Sequence, residues 1–206
     1  MIRFDGSDDA FALMGSVLTS SQYTIFAVVN DVGPGNNVRE VISNWDTSNT
    51  TSSVFFGTAS DGVNRGVRLT DAVGGASDSG APQIGRGVLQ NPGEHFILSG
   101  IASSTDAFIY QDFDLIHQHG SGAASLGRNL STPWYIGRQG GFAGELWMGD
   151  MAEIIVYDRA LSGSDHLKVT NYLHEKYSAV PEPTTMLLLG TGLIGLAGAR
   201  RKMKYL

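Results

Sequence analysis

The sequence predicts an all-β body, a two-sheet antiparallel sandwich closed by one C-terminal surface helix and followed by a single short transmembrane helix. Three observations point there. Short runs rich in β-branched and aromatic residues recur along residues 1–160, with turn residues between them. Gly is used 27 times while Lys and Arg together number 14, a composition that suits many turns between strands better than a helical bundle. The last two dozen residues hold an uncharged stretch that ends in a basic cluster.

Taken in order, Tyr23–Val29 is nearly continuous in apolarity and reads as a central buried strand. Glu40–Trp45, Ser53–Thr58 and Gly66–Thr70 are shorter strand candidates, followed by His95–Ala102, Ala107–Gln111 and Trp134–Gly137. Met148–Asp158 is the longest, and strict alternation places Met151, Ile155 and Tyr157 on one side and Ala152, Ile154 and Val156 on the other. The segments 33–37, 61–62, 74–75 and 140–141 supply turns. No helical period intervenes until Ser162, an N-cap whose partner three residues later is Asp165. His166, Val169, Leu173 and Tyr177 then recur at helical spacing as a core-facing stripe.

Charge divides the chain. Arg200, Arg201, Lys202 and Lys204 against Glu182 give the tail +3, so a net charge of −6 leaves −9 on residues 1–180. An acidic body lacks the clustered cations that bind phosphates, which excludes nucleic acid as a partner. The absence of cysteine removes disulfides, thiolate metal sites and a Cys nucleophile.

The sixteen residues 184–199 carry no charge and span about 24 Å as a helix, slightly short of a bilayer core of about 30 Å. Lipid thinning and snorkelling by Arg200, Arg201 and Lys202 cover the deficit. The positive-inside rule puts that basic stop in the cytoplasm and the acidic body outside. Gly190-Thr191-Gly192-Leu193-Ile194-Gly195 matches the dinucleotide fingerprint in letters alone, because Pro183 and an apolar helix precede it where a strand is required.

Val180-Pro181-Glu182-Pro183, then an apolar helix, then Arg200-Arg201-Lys202, resembles the PEP-CTERM protein-sorting signal over residues 179–206. The resemblance implies export, anchoring at the cell envelope by the C-terminus, recognition by an exosortase-type membrane protease, and release or transfer to the surface or extracellular matrix. It is also associated with bacteria that make extracellular polysaccharide. Export calls for an N-terminal signal peptide, whereas this chain opens Met1-Ile2-Arg3-Phe4-Asp5-Gly6, which already reads as domain. We therefore expect an N-terminally truncated sequence.

Residues 1–178 resemble LamG-like, concanavalin A-type jelly-roll domains. The resemblance is carried by Arg3–Asp9, Thr24–Val28, Trp134–Arg138, Gly149–Ser162 and Tyr172–Tyr177. It implies a jelly-roll sandwich and often glycan or protein binding. Family members usually have sequence before the Phe-Asp-Gly segment, so an edge strand is expected to be missing as well. Related hydrolases carry Glu-x-Asp-x-x-Glu, and here Glu145-Leu146-Trp147 has Trp in place of the Asp. Asp150 and Glu153 fall on opposite faces of a regular strand, and share one only if a bulge intervenes.

The candidate sites follow. Asp5, Asp8 and Asp9 form an oxygen-rich turn suited to Ca²⁺, the one cofactor expected, although such turns also serve local hydrogen bonding. His117 and His119, two imidazoles on one side near Asp112 and Asp114, read as a solvated strand edge, with a metal site as the alternative. Trp45, Trp134 and Tyr135 are the candidate glycan-binding aromatics, while Trp147 is expected in the core. The expected function is that of a non-catalytic surface or matrix protein binding extracellular polysaccharide. A glycoside hydrolase and a structural, adhesive protein-binding module are the alternatives.

Overall fold

The computed structural model describes residues 1–33, 38–45, 54–60, 65–71, 94–120, 130–141 and 144–178. It divides into two units, Met1–Asn171 and Tyr172–Leu206. The strands of the first unit are β1 (Ile2–Asp5), β2 (Phe11–Leu13), β3 (Tyr23–Asp31), β4 (Arg39–Ser43), β5 (Val54–Ser60), β6 (Arg65–Asp71), β7 (Phe96–Ala102), β8 (Asp106–Gln111), β9 (Asp114–Gly120), β10 (Trp134–Ile136) and β11 (Met148–Tyr157). The helix α1 (Gly163–Ser178) begins in the first unit and ends in the second.

Two antiparallel sheets form the sandwich. One has six strands in the order β1-β11-β3-β7-β8-β9, the other five in the order β2-β10-β4-β5-β6. β3 is buried along its whole length because β11 and β7 flank it and both its faces are covered, which explains its unbroken apolarity. Its inner residues Tyr23, Ile25, Ala27 and Val29 join Val41, Phe56, Leu69, Leu98 and Trp134 in one core between the sheets. Gly100 permits their close approach, since a Cβ there would lie 2.9 Å from Leu69 and 3.3 Å from Phe56.

The alternation expected for β11 is corrected by a bulge. The register against β3 shifts between Met151 and Glu153, so Met151 faces the core together with Ile154 and Val156. Ile155 and Tyr157 consequently point outward. The outer face of the six-stranded sheet is roofed by the start of α1. Asp165 donates its backbone N–H to Ser162 Oγ at 3.2 Å, and the Ser162 hydroxyl bonds the Asp165 carboxylate at 3.1 Å, which caps the helix as expected. One turn on, His166 stacks on Phe26 at 5.0 Å between ring centroids and meets Tyr110 at 4.2 Å, with Nε2 2.7 Å from Ser99 Oγ.

Among the described residues no helix is long and apolar enough to cross a membrane. The transmembrane helix expected over 184–199 and the basic stop after it lie outside them.

Candidate functional site

β10 of the five-stranded sheet carries two of the aromatic candidates and divides them. Neighbouring residues of β10 must face opposite ways. Trp134 turns inward, is fully buried, and donates its indole N–H to Leu130 O at 3.1 Å. Its expected role as a glycan-stacking residue is therefore corrected, because its ring belongs to the core. Tyr135 turns outward, opposite Ala12 of β2 and Ser43 of β4, and stays half-buried. The Arg138 guanidinium lies 4.2 Å from the centroid of the Tyr135 ring, within cation–π range.

A tight loop places Arg138 there. Gly137 has φ 84° and Gly140 φ 45°, so the chain turns sharply after β10. At Gly140 a side chain is sterically impossible, since its Cβ would stand 1.9 Å from the Trp45 carbonyl. Gly141 N–H donates to that carbonyl at 2.7 Å, and Arg138 Nε donates to Gly140 O at 2.8 Å. Trp45 and Arg138 thus meet the same glycine, and Trp45 is half-buried. A planar cation on an aromatic ring can stack on the apolar face of a sugar and donate to its hydroxyls. Arg138 was not singled out in the sequence because three residues normally separate opposite faces of a strand, and Gly137 was the only sign that the strand ends.

The acidic turn is brought together as well. One carboxylate oxygen from each of Asp5, Asp8 and Asp9 lies within 4.8 Å of the others, and all three residues are exposed. Asp9 accepts from Asp5 N–H at 2.8 Å and Asp5 from Ser7 N–H at 2.7 Å. Hard oxygen donors at this spacing fit Ca²⁺, and each carboxylate keeps a second oxygen to offer. The side chains of His117 and His119 lie outside those described, while Asp112 accepts from Ile97 N–H at 2.9 Å.

The β11 bulge supplies the condition for a shared carboxylate face. Asp150 stands opposite Asn30 and Glu153 opposite Val28, two residues apart on β3, so both project from the outer side of the sheet. Asp150, however, is engaged. Arg3 Nε and Nη2 grip its two oxygens at 2.7 and 2.6 Å. That guanidinium holds the Asp150 carboxyl below the usual carboxylate range. A general acid for glycoside cleavage requires the opposite displacement. Trp147, as expected, is fully buried, with its backbone N–H on Gly137 O at 2.9 Å.

Comparison with known proteins adds three findings. No curated protein matches the chain in sequence. In fold, it is similar to a native heptameric SAP-like pentraxin from Limulus polyphemus, at 16% identity and a TM-score of 0.58, covering 82% of this chain and 80% of that one. It is also similar to domain 4 of AbnA, a GH43 extracellular arabinanase from Geobacillus stearothermophilus solved with arabinotriose. There the identity is 12% and the TM-score 0.61, over 82% of this chain and 75% of that one. The CBM40 of the Ruminococcus gnavus IT-sialidase superposes at 14% identity and a TM-score of 0.54, over 72% of this chain and 82% of that one. These likenesses show the jelly-roll, concanavalin A-like fold. Residues 179–202 match the PEP-CTERM protein-sorting motif, so the chain is a jelly-roll sandwich carrying a PEP-CTERM sorting signal at its C-terminal end.

Proposed function

We propose that this protein is a non-catalytic component of the cell surface or matrix whose sandwich binds extracellular polysaccharide. The sorting motif implies an exported, envelope-associated protein and processing by an exosortase-type protease. The observation that carries the binding reading is the Tyr135–Arg138 stack on the outer face of the five-stranded sheet. Two of the fold neighbours are carbohydrate-related, one a sialidase CBM40 solved with sialyllactose, the other an arabinanase domain solved with arabinotriose. The Arg3–Asp150 pair favours binding over hydrolysis, since the guanidinium occupies both oxygens of the carboxylate, which as a nucleophile or base would have to reach a sugar or a water, and holds it below the range of a general acid.

The test is affinity electrophoresis and pull-down of the protein on a panel of neutral and acidic polysaccharides. We expect retention on at least one, and a loss of about tenfold in affinity, near 1.4 kcal/mol, for Tyr135→Ala and Arg138→Ala. Silence across the whole panel, or retention that both substitutions leave intact, overturns the reading. Capture of surface proteins in place of glycans would favour the adhesive alternative.

A further inference from the structure

Arg138 carries a charge that the described part of the body leaves unanswered. Three other cations are met by carboxylates, Arg3 by Asp150 at 2.6 Å, Arg39 by Asp31 at 3.7 Å and Lys168 by Asp165 at 2.9 Å. Arg138 has no ion pair among the described residues, although residues 1–180 carry a net charge of −9. Its contacts are the Tyr135 ring, 4.2 Å from the guanidinium carbon to the centroid, and the Gly140 carbonyl, which accepts the Nε–H at 2.8 Å. The N–H groups of Nη1 and Nη2 have no hydrogen-bond partner among the described residues, and neither has the Tyr135 hydroxyl.

Both contacts preorganise the cation. The ring supports its plane and the carbonyl fixes its rotation, so the side-chain freedom that a binding arginine otherwise gives up is already lost. Arg138 is also half-buried, so a charge placed against it is screened less than at an open surface. The hydroxyls of a neutral sugar can accept from Nη1 and Nη2, but they leave the charge in place. A carboxylate cancels the charge and offers two coplanar oxygens that match the Nη1–Nη2 edge.

We infer that the site selects acidic polysaccharides, the carboxylate of a uronic acid residue taking the Nη1–Nη2 edge of Arg138 with the Tyr135 hydroxyl beside it to meet a ring hydroxyl. This names the ligand class of the polysaccharide-binding site proposed above and rests on that reading. A body of net charge −9 repels polyanions as a whole, so retention of one has to come from a local contact.

Affinity electrophoresis tests this on alginate, hyaluronan and polygalacturonate, and on the same polymers after reduction of their carboxyl groups to alcohols. Chelator is present throughout, which removes bridging by Ca²⁺. Wild type is expected to bind at least one acidic polymer and to lose affinity about tenfold or more on its reduced form. Arg138→Lys keeps a cation without the fork and should lose about tenfold on the acidic polymer while the melting temperature stays level. Equal retention on acidic and reduced forms, or retention on neutral glycans alone, overturns the acid selectivity and leaves polysaccharide binding standing. Silence on every polymer overturns both. Retention on dextran sulfate as strong as on the uronates, and undiminished in Arg138→Lys, marks a diffuse attraction to anions and overturns the inference too.

Discussion

His166 makes the folded state sensitive to acid in a calculable way. Its ring is buried among Phe26, Tyr110 and Ser99, and desolvation lowers its pKa from 6.5 to about 4. The fold keeps the ring neutral between those values while the unfolded chain takes up a proton. The stabilisation from the neutral ring is therefore complete above pH 6.5 and is lost as pH falls toward about 4. At about 1.4 kcal/mol per decade the whole interval contributes roughly 3 kcal/mol. Urea unfolding of wild type and His166→Phe at a series of pH values measures it. Phenylalanine preserves the ring contacts, removes the titration and leaves the Ser99 hydroxyl without its imidazole, at a cost of about 1–3 kcal/mol at pH 7. The variant's stability should then stay nearly level across the window in which the wild type declines. Asp150, Asp158 and Asp165 have lowered pKa values, so their contributions disappear only at still lower pH and leave the window clear. A wild-type curve as flat as the variant's, or two parallel declines, would refute the account.

Three further outcomes are expected. Trp134→Ala should lower unfolding stability by about 3–5 kcal/mol through loss of a fully buried ring, while Tyr135→Ala, on the outer face, should cost under about 1 kcal/mol; chemical denaturation compares them. Millimolar Ca²⁺ should raise the melting temperature by bridging Asp5, Asp8 and Asp9, an effect that chelator reverses and that Asp8→Asn with Asp9→Asn abolishes; no shift in calorimetry would leave the turn as a local hydrogen-bonded loop. Removing residues 181–206 should move the protein from membrane to soluble fractions when cells are fractionated, and unchanged partitioning would count against the anchor.

The parts of the fold legible in the sequence are those where one residue decides the matter locally. Tyr23–Val29 is apolar on both faces and can only be a covered strand, and Ser162 with Asp165 marks a helix start by its own hydrogen bonds. β1 and β2 went unrecognised, and β9 is legible only as the strand edge of His117 and His119. The first two, with four and three residues, sit among Asp, Gly and Ser, which read as turns. The face of β11 was misjudged because a bulge has no residue signature here, and one inserted residue reverses everything beyond it. Trp134 and Tyr135 show the same limit in miniature. The sequence says they oppose each other, but only the second sheet decides which one is enclosed.

Arg3 grips Asp150 across 147 positions of chain. β1 thus finds its neighbour only when nearly all of the body has been made, whereas β3, β7, β8 and β9 of the same sheet can pair before it. Topologies dominated by such distant partners fold slowly. The ladders β4–β5–β6 and β7–β8–β9 join strands that are neighbours in the chain, so the last event is the insertion of β11 between β1 and β3, which joins the two ends of the body.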